Sequence, residues 1–223
     1  MKNFIQIMKR PLLITGAVIL LDQLIKLWVK TSMPLGKQIP VIGEYFRLYF
    51  IENNGMAFGM ELGGESGKLF LSLFRIVAVF GIGYYIYTLS RDKASKYLII
   101  AMSLIFSGAL GNIIDSVFYG VIFNTGTFAE PAVLFPAEGG YAGWMHGKVV
   151  DMFYVELINI GRDEAPSWLP NFLFGPDDRW VFFRPIFNLA DAAITCGVFT
   201  IILFYRKIFK HQSPAKEENT ATE

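Results

Sequence analysis

Long apolar stretches alternate with polar segments along the chain, and four of the apolar stretches are long enough to cross a bilayer. A helix needs about 20 apolar residues to span a hydrocarbon core of about 30 Å. The four windows are residues 11–29, 69–89, 97–119 and 186–205. The pattern therefore predicts an all-α polytopic membrane protein with four transmembrane helices and two longer loops, 30–68 and 120–185.

The composition supports a membrane protein. The chain is 53% hydrophobic, contains 21 Phe and has a mean hydropathy of +0.43, which is more apolar than a soluble domain of this size requires. Its formal net charge is only +1, which gives no indication of a nucleic-acid partner. The single cysteine, Cys196, lies in the fourth window, so the sequence predicts no disulfide framework.

Basic residues cluster at one end of each predicted helix. They are Lys2, Lys9 and Arg10 before the first window, Arg91, Lys93 and Lys96 between the second and third, and Arg206, Lys207 and Lys210 after the fourth. Because cytoplasmic segments are enriched in Lys and Arg, we expect both termini in the cytoplasm and the two longer loops outside. The N-terminal segment has no clear small-x-small cleavage site, which predicts an uncleaved first span.

The segments outside the windows divide into structured loops and a tail. The aromatic and β-branched stretch EYFRLYFIEN, residues 44–53, predicts a strand just outside the membrane. The second loop is rich in aromatic residues, Pro and Gly, a composition typical of segments at the membrane interface. We therefore expect one membrane domain over residues 1–210, followed by a disordered polar tail, 211–223.

Three of the windows contain polar residues near their predicted outer ends. Each pair is spaced by three or four positions, which places its members on one helix face. The pairs are Asp22 with Lys26, Asn112 with Asp115, and Asn188 with Asp191. Gly108 and Gly111 precede the second pair and would let another backbone approach closely.

Each polar residue also has a structural interpretation. Asp22 and Lys26 would neutralise one another, and Asn112 with Asp115 could join two helices by hydrogen bonds. Asp191 has no cation within one turn of its own helix, and a buried unpaired carboxylate costs several kcal/mol, which favours a functional role. Asp151, in the outer-loop segment GKVVDMFY, is by pattern alone typical of a turn or cap residue.

Several site chemistries are compatible with these residues. A Ser–Lys pair would combine Lys26 with a serine of the third window, but no motif supports it. A metal site would combine His146 with Asp151 and Asp191, at a spacing that matches no standard ligand pattern. Two aspartates in a cleft of low dielectric would share one proton, so that one activates water while the other polarises a carbonyl.

Five short motifs together resemble one protein family. In chain order they are LLDQLIK (20–26), NNGMAFG (53–59), SGALGNIIDS (107–116), VVDMF (149–153) and FNLADAAI (187–194). Their order and placement on four predicted spans resemble lipoprotein signal peptidase, the membrane aspartyl peptidase also called signal peptidase II.

The resemblance implies a fold, a reaction and a set of site residues. The fold would be four transmembrane helices with a small extracytoplasmic β-cradle. The reaction would be cleavage of bacterial prolipoproteins in the cell inner membrane, just before a cysteine that carries diacylglycerol, by a monomer in contact with membrane lipid and without metal or organic cofactor. The implied catalytic residues are Asp151 and Asp191. Asn53, Asn112 and Asn188 would line the site and hold the substrate backbone, and Asp22 and Asp115 would support its geometry.

Two departures from the family pattern stand out. Typical members have an arginine directly after the aspartate of the third motif, where this chain has Ser116. We expect a cation from the outer loop, Lys148 or Arg184, to take the place of that arginine beside Asp115. Arg184 is the favoured candidate, because it precedes the fourth window by two residues and its planar guanidinium can bind a carboxylate through two hydrogen bonds. The outer loops 117–148 and 154–184 also look longer than usual.

Two other classes of function remain alternatives at this stage. A small proton-coupled transporter would use Asp22, Asp115 and Asp191 as a relay, and a membrane scaffold would use them only for packing. A relay predicts acids spread through the depth of the membrane, whereas the sequence groups them in one outer layer, which favours hydrolysis.

Overall fold

The computed structural model describes residues 3–43, 45–54, 64–175, 178–182 and 185–209. The predicted tail 211–223, Arg184 and residues 55–59 of the NNGMAFG motif lie outside the described residues.

Long apolar helices make up the membrane part of the fold. Helix α1 is Phe4–Ser32, α2 is Gly64–Arg91 and α3 is Lys96–Ile114. A five-residue π-helical turn, Asp115–Tyr119, follows α3 without a break and leads into the short helix α4, Gly120–Ile122. Among the described residues, three helical stretches are long and apolar enough to span a membrane, and they correspond to the first three predicted windows.

In the described part of the chain, six strands lie in the segments between helices, two between α1 and α2 and four after α4. The strands are β1 (Gln38–Ile42), β2 (Phe46–Asn53), β3 (Val149–Val155), β4 (Ile158–Gly161), β5 (Arg179–Phe182) and β6 (Ile186–Phe187). The four-stranded sheet has the order β1-β2-β3-β6, whereas β4 and β5 form a separate hairpin. The strand predicted over 44–53 is thus confirmed as β2, and Ile51 of β2 pairs with Asp151 of β3.

The fourth predicted window is only partly helical. Ile186 and Phe187 pair with β3 as strand β6, so the prediction that this helix begins at Ile186 is wrong. Helix α5 begins at Leu189 and ends at Leu203, and the short helix α6, Tyr205–Phe209, follows. At 15 residues, α5 alone is about 22 Å long at 1.5 Å per residue, shorter than the hydrocarbon core.

Glycines allow α5 to pack closely against α3. A methyl group added at Gly108 would come within 2.6 Å of Ile194 Cγ1 on α5, which confirms the close approach predicted there. At the other end of the same contact, a methyl group on Gly197 would come within 2.7 Å of the Ala101 carbonyl oxygen and of Ile105 Cγ1. Small residues at such positions let two helix backbones approach, which brings the start of α5 against the end of α3.

A buried apolar cluster attaches the sheet to the helices. Val29 and Met33 at the end of α1 pack with Phe50 of β2 and with Val150 and Met152 of β3. Tyr119 and Phe123, at and after the π-helical turn, complete the same cluster. The ends of α1, α3, β2 and β3 are therefore held at one place.

The glycine contact predicts that adding one methyl group at position 197 is costly. Gly197→Ala should lower the free energy of unfolding by about 1–3 kcal/mol, because the methyl group cannot fit without moving a backbone carbonyl. Thermal unfolding in detergent measures this difference. The matched control is Gly16→Ala in α1, where an added methyl group meets nothing within 4 Å and should be neutral or slightly stabilising. Equal stability of the two variants would contradict the packing argument.

Candidate active site

A fully buried ammonium group occupies the centre of the polar cluster. Lys26 Nζ lies 2.9 Å from each of three oxygens, Asp22 Oδ2, Asp115 Oδ2 and Asn112 Oδ1. All three ammonium hydrogens therefore have an acceptor. The predicted pairing of Lys26 with Asp22 is confirmed, but it accounts for only one of the three contacts.

The two carboxylates beside Lys26 connect different elements. Asp22 Oδ1 accepts a hydrogen bond of 2.9 Å from the backbone N–H of Ala190, in the first turn of α5. Asp115 Oδ2 accepts one of 3.2 Å from the backbone N–H of Val150 in β3. Both side chains are almost completely buried, and these bonds attach α5 to α1 and β3 to the π-helical turn after α3. An anion at the N-terminus of a helix also interacts favourably with the helix dipole.

Among the residues that the structure describes, the cation next to Asp115 is Lys26 of α1. We expected Lys148 or Arg184 there. Lys148 forms an ion pair with Glu52 at 3.9 Å instead, whereas Arg184 lies outside the described residues, so its part of the expectation stays a prediction. The Ser116 hydroxyl instead donates to the Asn112 carbonyl one turn earlier, at 3.0 Å. Spacing along the chain indicated Asp22, which is one turn before Lys26 in α1. It could not indicate Asp115, because that residue belongs to another element.

Gln23 is a member of the cluster that the sequence analysis missed. Its Nε2 donates to Asp115 Oδ1 at 2.9 Å and to the Gly111 carbonyl at 3.2 Å, while its Oε1 accepts from the Tyr119 hydroxyl at 3.1 Å. The only signal in the sequence was its position beside Asp22 within LLDQLIK.

Asn188 stands at the boundary between strand β6 and helix α5. Its extended backbone makes it the N-cap of α5, and its Oδ1 accepts from the Asp191 backbone N–H at 2.9 Å. Asp191 Oδ2 in turn accepts from the Asn188 backbone N–H at 3.4 Å, which completes a capping box. Asn188 and Asp191 are therefore related by a helix cap, and not by a shared helix face as the spacing had suggested.

The same asparagine joins the two aspartates. Asn188 Nδ2 donates to Asp151 Oδ1 at 2.7 Å and to Asn112 Oδ1 at 3.0 Å. Asn112 Nδ2 donates to Asp191 Oδ1 at 2.7 Å. The carboxyl groups of Asp151 and Asp191 are thus both held by a pair of asparagines that contact each other.

Asp151 occupies the middle of β3 and is almost completely buried. The Asn53 side chain at the end of β2 donates a second hydrogen bond, to Asp151 Oδ2. Burial, followed by the negative charge of Asp191, raises the pKa of the Asp151 carboxyl to about 7, while the two amide donors and Lys26 act in the opposite direction. The carboxyl is therefore about half protonated near pH 7 and mostly protonated below it.

All seven residues that the sequence analysis selected belong to this one network. They are Asp22, Asn53, Asn112, Asp115, Asp151, Asn188 and Asp191. Such an arrangement combines one carboxyl that retains a proton with a second carboxyl held by neutral amides, which is the chemistry of a general acid–base pair.

The metal alternative finds no support among the described residues. Nowhere in that part of the chain do three side chains of the His, Cys, Asp and Glu types come close enough to hold a metal ion. His146 Nδ1 lies 2.9 Å from the Trp144 carbonyl oxygen, in an exposed turn.

The chain is similar in sequence to known proteins. Residues 14–207 match the family described as signal peptidase (SPase) II. A lipoprotein signal peptidase from Porphyromonas gingivalis is 46% identical over 212 residues, which cover 92% of this chain and 88% of that protein. One from Amoebophilus asiaticus is 38% identical over 188 residues, covering 83% of this chain and 72% of the relative.

A solved structure has a similar fold. It is described as a bacterial membrane enzyme structure determined by the in meso method at 2.3 Å resolution. It superposes with a TM-score of 0.56 at 25% sequence identity, covering 94% of each chain. The family match leaves no place for the transporter and scaffold alternatives. The chain belongs to the signal peptidase II family and is a membrane-embedded peptidase.

Proposed function

We propose that this chain removes the signal peptide from diacylglyceryl-modified bacterial prolipoproteins, cleaving before the lipidated cysteine, with Asp151 and Asp191 as its catalytic pair. The observation that supports the proposal best is the bridge between the two carboxyl groups: Asn188 donates to Asp151, and its partner Asn112 donates to Asp191. The relatives named lipoprotein signal peptidase supply the class of substrate.

The pair would share one proton, which resides mainly on Asp151 because burial raises the pKa of that carboxyl to about 7. In the first step ionised Asp191 takes a proton from water, and the resulting hydroxide adds to the scissile carbonyl carbon. Asp151 donates its proton to the carbonyl oxygen at the same time. The tetrahedral intermediate then breaks its C–N bond as the proton taken up by Asp191 passes to the leaving nitrogen. Ionised Asp151 takes back a proton from one hydroxyl group of the intermediate, which becomes the carboxylic acid product, so both carboxyl groups return to their starting states.

The other polar residues have supporting roles in this proposal. The side-chain amides of Asn112 and Asn188 are occupied by the two aspartates, by Lys26 and by each other, so we assign them to orienting the pair. Asn53 has the same role from the side of β2. Asp22 and Asp115 neutralise Lys26 and hold α5 and β3 in place.

The membrane arrangement is also a proposal. Helices α5 and α6 follow one another across Phe204, whose N–H bonds to Thr200 and whose carbonyl accepts from Ile208. Together they cover residues 189–209, about 31 Å at 1.5 Å per residue, and we propose that they form a fourth span. Both catalytic carboxyl groups come from one chain, which supports action as a monomer.

The basic segments support an orientation with both termini in the cytoplasm. Lys9, Arg10, Arg91 and Lys93 line one cleft at the end of the bundle where α1 begins and α2 ends. Leu89, Leu98 and Ile208 pack together at the same end, which places the basic start of α6 beside them. Asp22 lies in the second half of α1 and Asp115 directly follows α3, away from these basic residues. The active site would therefore face the extracytoplasmic side.

Asp151→Asn and Asp191→Asn should each abolish cleavage while leaving the protein folded. Losing one member of an acid–base pair removes at least the roughly 10²–10⁴-fold that proton transfer contributes. The measurement is release of the signal peptide from a purified diacylglyceryl-modified prolipoprotein. A parallel assay in EDTA should retain full turnover, and near wild-type turnover of either variant would rule out the pair.

The pH dependence should follow the shared proton. Because the pKa of Asp151 is raised to about 7, the protonated form that donates to the carbonyl is present below that pH and is lost above it. We therefore expect kcat/KM to fall about tenfold per pH unit on the alkaline side of roughly pH 7. Activity that keeps rising through pH 9 would contradict this assignment of the proton.

The orientation can be tested with single cysteines in a Cys196→Ala background. Trp168→Cys, in the exposed insertion between β4 and β5, should react with an impermeant maleimide on intact spheroplasts. Lys93→Cys, in the exposed turn between α2 and α3, should react only after the membrane is permeabilised. The reverse labelling pattern would invert the proposed topology.

A further inference from the structure

A second buried ion pair lies one helical turn beyond Lys26. Lys30 is completely inaccessible to solvent, and its Nζ contacts Glu52 Oε1 on β2. The second oxygen, Glu52 Oε2, lies 3.9 Å from Lys148 Nζ, which precedes β3 and is partly exposed. None of these three residues has a role in the mechanism above or stands among the residues that the family resemblance selected.

Aromatic rings enclose the remaining side of the Lys30 ammonium. Its Nζ lies 5.0 Å from the ring centre of Phe123 and 5.2 Å from that of Tyr141. The Tyr141 hydroxyl in turn accepts a hydrogen bond of 2.7 Å from the backbone N–H of Lys148. The pair therefore has a defined geometry, with a carboxylate on one side and two ring faces near the other.

Stability alone does not account for such a pair. Desolvating two charges can cost more than their attraction returns, and apolar replacements of similar volume are often neutral or stabilising. An ion pair fixes the relative position of its two side chains more closely than an apolar contact does, because the carboxylate and the ammonium are held in one mutual orientation.

Glu52 lies next to Asn53 in β2, so fixing Glu52 also fixes the backbone that carries Asn53. Glu52 is the penultimate residue of β2 and Asn53 is the last. The pairing of β2 with β3 is regular from Ile51 to Asn53, so successive side chains there point to opposite faces. Glu52 faces α1, where it contacts Lys30, while Asn53 shares the other face with Ile51. Ile51 pairs with Asp151, and it is to Asp151 that Asn53 donates its hydrogen bond.

We infer that the Lys30–Glu52 ion pair positions the end of β2, so that the Asn53 amide on the opposite face is held against Asp151. Lys30 and Glu52 are positioning residues in this inference, which rests on the proposed role of Asp151. The chain following Asn54 has no part in the argument, because the contact with α1 precedes it.

Positioning must be distinguished from a direct effect of charge on Asp151. The charged groups that act on that carboxyl are Asp191 of α5 and Lys26 of α1, and Asn188 and Asn53 donate hydrogen bonds to it. Removing the Lys30 charge through space would raise the pKa of Asp151, and removing the Glu52 charge would lower it. Loosening Asn53 raises that pKa in both cases, because a donor to the carboxylate is weakened.

The test measures kcat, KM and the alkaline limb of the kcat profile for Lys30→Met and Glu52→Leu. We expect kcat to fall about tenfold in each variant with KM unchanged, because a small displacement of an orienting group is costly to rate. Both variants should shift the alkaline limb to higher pH. In an Asn53→Ala background neither change should have a further effect, because the group that the ion pair positions is absent.

A double variant keeps the test informative where a single variant does not fold. Lys30→Met with Glu52→Leu leaves no unpaired buried charge and should unfold at a temperature close to wild type. Its kcat should still fall about tenfold, and the alkaline limb of its kcat profile should still shift to higher pH. The matched control is Arg91→Met with Asp92→Leu, which removes an exposed ion pair at the other end of the bundle and should change neither quantity.

Three results would overturn the inference. The first is a shift of the alkaline limb in opposite directions in Lys30→Met and Glu52→Leu. The second is wild-type kcat in the double variant. The third is the same tenfold fall in kcat when either change is made in the Asn53→Ala background. Each is separate from the fate of the catalytic pair, because Asp151→Asn is measured in the same assay and tests the proposed function by itself.

Discussion

The buried ammonium of Lys26 is the interaction on which the arrangement of the elements depends. It lies 2.9 Å from two carboxylates and one amide oxygen, and those acceptors belong to α1 and to the last turns of α3 with the π-helical turn. The two carboxylates then bind backbone N–H groups of α5 and β3. Removing the ammonium would leave two buried carboxylates without a cation, a loss of several kcal/mol. Four segments that are distant in sequence are thus fixed by one side chain.

The polar groups of the candidate site lie where regular elements end. Asn53 closes β2, Asp115 begins the π-helical turn after α3, Asn188 caps α5, and Asp191 is in the first turn of that helix. Ends of helices and strands expose backbone N–H and C=O groups that the ladder no longer uses. Asp22 and Asp115 each bind one backbone N–H, and Asn188 accepts another as a cap. The site therefore satisfies the backbone groups of the surrounding elements with the same side chains that hold its two aspartates.

Local patterns predicted the parts of this molecule that depend on local physics. The first three spans, the strand at β2 and the close approach at Gly108 follow from apolar length, side-chain type and the absence of a Cβ atom. The start of α5 could not be predicted in this way, because Ile186 and Phe187 extend the apolar run but pair with β3. The ion pair of Lys26 with Asp115 could not be predicted either, because it forms only when α1 and α3 lie side by side. Motif resemblance identified Asp151, for which the pattern alone indicated only a turn or cap.

The capping of α5 by Asn188 has a consequence for biosynthesis. Asn188, which caps α5 and binds Asp151, is translated after α1, α2, α3 and β3. Chains fold from the N-terminus as they emerge. Until α5 docks, Asp22 lacks the Ala190 N–H, and Asp151 lacks both Asn188 and the second carboxyl. The nascent chain therefore lacks the complete arrangement of the two aspartates until α5 is in place. In the proposed mechanism, proteolytic activity appears only after α5 has docked.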